Sequence, residues 1–79
     1  MLKTTNILLN TVSSVKEFSN AVFSYDLELT LHSGRYVVDA KSIMGIFSLD
    51  LTKPVELHIE GKSTDEINKL LYRIKKFVI

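Results

Sequence analysis

Twice between residues 27 and 60 the chain alternates apolar and polar side chains with a period of two. No other feature constrains its fold as tightly. Leu27, Leu29 and Leu31 alternate with Glu28, Thr30 and His32; Val55, Leu57 and Ile59 alternate with Glu56, His58 and Glu60. Successive side chains of a strand point to opposite faces, so each run predicts a strand with one buried and one wet face. Ser33-Gly34 predicts a tight turn after the first run, because glycine accepts positive φ. The segment Arg35–Ala40, rich in β-branched and aromatic residues, then becomes its hairpin partner. Pro54 cannot donate to a ladder and suits the first position of a strand, and Gly61 breaks the second run. One-sided strands of this kind belong to antiparallel sheets covered on a single face.

The remaining segments supply one more strand and three helices. Residues Thr4–Asn10 hold Ile7, Leu8 and Leu9 among polar residues and are short enough for a strand. Ser14-Val15-Lys16-Glu17 has the spacing of a capping box with Ser14 at the N-cap, and Val15, Phe18, Ala21 and Val22 continue as an apolar stripe. Ser63 and Glu66 repeat the capping spacing, followed by a buried face of Ile67, Leu70, Leu71, Ile74 and Phe77 or Val78. The middle helix, Ser42–Leu49, is too short and too apolar for an ordinary surface helix. The order β-α-β-β-α-β-α predicts an α+β fold, a four-stranded antiparallel sheet with three helices on one face. A ferredoxin-like βαββαβ sandwich shares much of that order but usually has a longer second helix than Ser42–Leu49 provides.

Seventy-nine residues predict one domain spanning 1–79, near the lower limit for a core stable without staples. Without cysteine there is no disulfide framework or thiolate metal site, so packing has to supply the stability. Ten Lys/Arg against nine Asp/Glu are too balanced to predict binding to nucleic acid. No apolar run approaches the roughly 18–20 residues of a membrane span, and Met1–Thr5 leads straight into a strand without the pattern of a signal peptide. The expectation is a cytoplasmic protein that does not engage membranes. No Ser/His/Asp set, glycine-rich phosphate loop or carboxylate pair is present, so neither an enzyme nor a cofactor is expected. His32 and His58 fall on the outward sets of their strands, with Glu28, Glu56 and Glu60 near in register. Two imidazoles on an exposed sheet are a weak metal site, and solvated surface residues are the expected reading. Arg73, Lys75 and Lys76 form the usual cationic end of a helix.

The run Asp39-Ala40-Lys41-Ser42-Ile43-Met44-Gly45-Ile46-Phe47-Ser48-Leu49 is a strand end, a polar junction and a short apolar helix. Its Lys41-Ser42-Ile43-Met44-Gly45 stretch closely resembles the regulatory-serine segment of the HPr family, phosphocarriers of the bacterial sugar phosphotransferase system. The resemblance implies the HPr-like open-faced β-sandwich and covers roughly the whole chain, although only residues 39–49 are motif-grade. It also implies phosphorylation of Ser42 by an ATP-dependent kinase and an apolar docking patch at Ile43, Met44 and Phe47, with Lys41 beside it. Protein partners of the HPr kinase or phosphotransferase-system kind follow from it. Where the family often has glycine, this chain has Asp50, a residue that tolerates the left-handed region better than most.

The family's catalytic histidine lies in a Gly-Leu/Ile-His-Ala-Arg-Pro motif ahead of the first helix. Residues 1–31 contain no His, Arg, Gly or Pro, and the matching segment is Asn10-Thr11-Val12-Ser13-Ser14. Hydroxyl phosphate esters on Thr11, Ser13 or Ser14 are far less labile than a phosphoimidazole, and Lys16 lacks the bidentate fork of arginine. The sequence therefore reads as a non-catalytic regulatory and binding domain. One alternative is an active phosphocarrier with an unrecognised acceptor. Another is a structural partner domain in which Ser42 only caps its helix. Separately, the alternative to a docking patch is that all five apolar residues of 43–49 are core.

Overall fold

Leu31, Leu57 and Ile59 are fully buried, while the residues between them in the same strands are half-buried or exposed, as the alternation requires. The computed structural model describes residues 1–79. In chain order its elements are β1 (Leu2–Ile7), α1 (Val12–Phe23), β2 (Glu28–Ser33), β3 (Tyr36–Asp39), α2 (Ile43–Phe47), β4 (Val55–Glu60) and α3 (Thr64–Arg73), closed by a 3₁₀ turn at Lys75–Phe77. The strands form one sheet in the order β1-β4-β2-β3, with every neighbouring pair antiparallel. β4 is the last strand in the chain yet lies between β1 and β2, with Leu57 opposite Thr5 on one side and Leu31 on the other. β1 and β2 therefore run parallel across β4, and α1 supplies the crossover that such a pair needs.

The helices cover the Leu/Val/Ile face. Nineteen residues are buried and all are apolar, so no buried polar group directs the core and its uniqueness rests on shape and register. α1 contributes Val15, Phe18, Ala21 and Val22, the predicted stripe. Phe18 meets Phe77 edge-on at 5.9 Å and ties α1 to the C-terminal turn. α3 contributes Ile67 and Leu70, with Ile74 buried beyond it, Leu71 half-buried and Val78 exposed; of the two candidates Phe77 and Val78, Phe77 is in the core. The C-terminal residues return to β1, where the Leu8 amide donates to the Phe77 carbonyl and the Ile79 amide to the Asn6 carbonyl, covering part of that sheet edge.

Several boundaries differ from expectation for identifiable reasons. The first strand spans Leu2–Ile7 rather than Thr4–Asn10, because Ile7, Leu8 and Leu9 break the alternation and Leu9 is buried as a loop residue. α1 starts at Val12 with Thr11 as its cap, not at Ser14; the Thr11 hydroxyl accepts the Ser14 amide at 3.0 Å. With Thr11 as the cap, the third helical position is Ser14, so Glu17 lies inside the helix, too far along to return to the cap, and its carboxylate pairs with Lys76. Ser63 does cap α3, but Glu66 accepts the Asp26 amide at 3.2 Å instead of returning to Ser63. The hairpin loop is Gly34-Arg35, with Ser33 paired to Tyr36. Gly34 has φ 59° and Arg35 a negative φ, the type II′ pattern in which the first central residue is glycine. Asp50 does not use the left-handed region, since no residue other than glycine has positive φ. Its carboxylate instead accepts the Thr52 hydroxyl at 2.6 Å and the Thr52 amide at 3.1 Å, an Asx-type turn leading towards β4.

Leu57→Ala removes a fully buried side chain from the central strand and should cost about 2–5 kcal/mol in denaturant unfolding. His58→Ala, on the opposite face, should cost less than about 1 kcal/mol. Equal losses would refute the assignment of faces.

The Thr52 hydroxyl and amide hold the Asp50 carboxyl below its ordinary pKa. A depressed folded-state pKa contributes stability that is present above the unfolded-state value and lost as pH falls through the folded one, in the acid range below about 4. In an NMR titration, Thr52→Val should move the Asp50 midpoint upwards, towards the ordinary carboxylate value; an unchanged midpoint would remove the hydroxyl as the main cause.

Candidate functional site

The Ser42 segment is built from β3 outwards. Ala40 is fully buried and its amide donates to the Leu29 carbonyl, which anchors the chain as it leaves the sheet. Asp39 then shapes the turn: its carboxylate accepts the Lys41 amide at 2.9 Å and its carbonyl accepts the Ser42 amide at 3.0 Å. Ser42 has extended φ and ψ of −96° and 106°, and its hydroxyl accepts the Gly45 amide at 3.3 Å. It is thus the N-cap of α2, as its position in the sequence predicts. At the other end the Ser48 amide donates to the Gly45 and Ile46 carbonyls, and the Ser48 hydroxyl donates to Gly45 at 2.5 Å.

Gly45 serves close packing and not backbone freedom. A Cβ there would lie 3.2 Å from the Val38 Cβ and 3.4 Å from the Ser42 Oγ. Its absence lets α2 settle on β3 and leaves the Ser42 hydroxyl room at the helix start. With the backbone so seated, Ile46 and Leu49 are buried, Ile43 is half-buried against the core, and Met44 and Phe47 are 78% and 42% exposed. Ser42 is exposed beside them. The reading in which all five apolar side chains of 43–49 belong to the core is therefore excluded. Lys41 is half-buried, and its ammonium donates to the Tyr25 carbonyl at 2.7 Å. That contact joins the turn after β3 to the loop after α1 across sixteen positions, a separation at which no local pattern could announce it.

The N-terminus of α1, where the family's histidine motif would lie, exposes Asn10, Thr11, Val12 and Ser13. Both imidazoles of the chain belong to the opposite face of the sheet, away from the helices. His32 and His58 stack there with ring centroids 3.7 Å apart and an interplanar angle of 19°. The Nε2 of His32 bonds to the Thr30 hydroxyl at 2.9 Å, and that of His58 to the Glu56 carboxylate at 2.5 Å. The alternation placed the two rings on one face, but the stacking itself depends on the register of β2 against β4. No group of three or more His, Cys, Asp or Glu side chains is arranged to hold a metal ion. No helix is long and apolar enough to cross a membrane.

Residues 13–78 match the family model described as the PTS HPr component phosphorylation site. No curated protein matches the chain. Among solved structures, HPr-C-His from Thermoanaerobacter tengcongensis superposes with a TM-score of 0.70 at 23% identity, covering 96% of this chain and 92% of that one. Phosphocarrier protein HPr from Bacillus anthracis str. Ames gives a TM-score of 0.67 at 20% identity, covering 92% and 94%. These likenesses are structural, whereas the family model matches the sequence itself across both the α1 and Ser42 segments. With its open-faced sheet, capped α2 and that match, the chain belongs to the HPr family of phosphocarrier-like proteins.

Proposed function

We propose that this HPr-family protein is a non-enzymatic regulatory and binding domain that works through α2, with Ser42 as its phosphorylation site and Lys41, Ile43, Met44 and Phe47 as its contacts to protein partners. The observation that carries the reading is the exposure of Met44 and Phe47 beside an exposed Ser42. A flexible thioether next to an aromatic ring suits an adaptable interface. Phosphorylation would place nearly two negative charges at the start of α2, where amides lack helical carbonyl partners. The same charge would lie against the partner-facing side chains. Partners of the phosphotransferase system, including a kinase of the HPr kinase type, fit this surface.

The histidine relay is absent from the proposed function. Residues 1–31 offer neither the imidazole nor the guanidinium that the family's phosphate transfer uses, and His32 and His58 face away from α1. Incubation with enzyme I and phosphoenolpyruvate should leave no acid-labile phosphohistidine. Phosphate on His32 or His58 at the rate of an ordinary phosphocarrier would overturn this part of the reading.

Ser42→Asp retains an acceptor and adds a charge that favours the helix start, so stability should stay within about 1 kcal/mol while partner binding changes. Phe47→Ala should weaken the same binding and leave the fold intact, because an aromatic on a docking surface contributes more there than to the core. Calorimetry and a pull-down against phosphotransferase-system proteins separate the two effects. A loss of several kcal/mol on Phe47→Ala would make Phe47 a core residue and end the docking hypothesis.

A further inference from the structure

Lys69, Arg73 and Lys76 recur at intervals of four and three along α3 and the turn beyond it, on an exposed flank away from the buried Ile67, Leu70 and Ile74. All three are exposed, and so is Tyr72 between them, at 72%. With Tyr25 from the loop after α1, they line a groove of about 770 Å³ that Lys75 and Asp65 also border. Lys76 pairs with Glu17, and the Lys75 ammonium lies 4.3 Å from the centre of the Tyr72 ring. The molecule's only other carboxylate contact of this kind is the His58–Glu56 hydrogen bond on the sheet, so Lys69, Arg73 and Lys75 have no carboxylate within pairing distance. The helix dipole accounts for a cation in the last turn of α3, which holds Arg73 alone of this helix's cations. It accounts neither for Lys69, which precedes that turn, nor for the exposed aromatic ring at the centre of the cluster.

We propose that this groove is a second docking surface, specific for an acidic segment of a protein partner. Lys69 and Arg73, four residues apart, match carboxylates spaced one helical turn apart, and Tyr72 offers an apolar ring between them. Charge complementarity favours a peptide over nucleic acid. Three uncompensated cations release few counterions, and Asp65 and Glu17 on the same surface oppose a continuous phosphate backbone. The groove's lining shares no residue with the Ser42 surface, and the two meet at Tyr25, whose carbonyl accepts the Lys41 ammonium. The surface stands whether or not the Ser42 reading holds.

The test uses the intact, isotope-labelled protein titrated with a helical peptide rich in glutamate with one leucine per turn, and with the same peptide carrying glutamine for every glutamate. The acidic peptide should shift the amide signals of residues 69–76 saturably, and the glutamine peptide should not. Affinity should fall roughly tenfold as salt is raised through the physiological range. K69E/R73E should abolish the shifts with an unchanged thermal midpoint, K69Q/R73Q should weaken them, and Lys53→Glu should leave them as they are. The proposal fails if the peptide shifts only α2 or the open sheet face, if it shifts nothing, or if K69E/R73E binds like the parent. It fails equally if a single-stranded oligothymidylate moves the residue 69–76 signals and the acidic peptide does not.

Discussion

Everything in this molecule depends on β4 lying between β1 and β2. The inward side of β1 carries Lys3 and Thr5 beside a single buried residue, Ile7, so it has little apolar surface of its own to bury. Val55, Leu57 and Ile59 of β4 supply what β1 lacks, and Leu57 and Ile59 stand directly opposite Leu31 and Leu29 of β2. Without β4 neither neighbour has a partner on that side. The pairing joins residues about fifty positions apart, so the chain meets the entropy of closing a large loop before the sheet rewards it. The helices can bury their stripes only after that surface exists.

α2 shows the same dependence on a smaller scale. Five residues are far too few for an independent helix. This one is held by two serine caps, by the buried Ile46 and Leu49, and by a glycine that lets it approach β3. Such an element buries little of its circumference, which is why Met44 and Phe47 remain at the surface of so small a protein. A short helix with its cap serine exposed and its outward side apolar suits a surface that chemistry at one hydroxyl can alter.

The near balance of charge conceals how the charges are distributed. Glu28, Asp39, Glu56 and Glu60 share the outward face of the sheet, around the stacked histidines. Lys69, Arg73, Lys75 and Lys76 gather on and after α3. Net charge governs solubility and long-range steering, whereas a local cluster governs which surface a charged partner meets.

Periodicity alone was enough for the strand faces and helix stripes, because alternation at two and recurrence at three to four are imposed by backbone geometry. The buried sets of β2, β4 and α1 are therefore legible in the sequence, as are Ser42 and Ser63 as caps. Ser14 misled because Thr11, three residues earlier, takes the cap by accepting the Ser14 amide, which leaves Ser14 and Glu17 inside the helix. The end of β1 misled because three consecutive apolar residues carry no period, and only the core decides which of them leave the strand. For the candidate site, the apolar run 43–49 marked a short helix, but its division into buried Ile46 and Leu49 and exposed Met44 and Phe47 awaited the seating of α2 on β3. The stacking of His32 on His58, the Lys41 contact to Tyr25 and the place of Tyr25 in the groove along α3 had no local signature. Each joins residues distant in the chain, and such neighbours exist only once the sheet and its helices have closed.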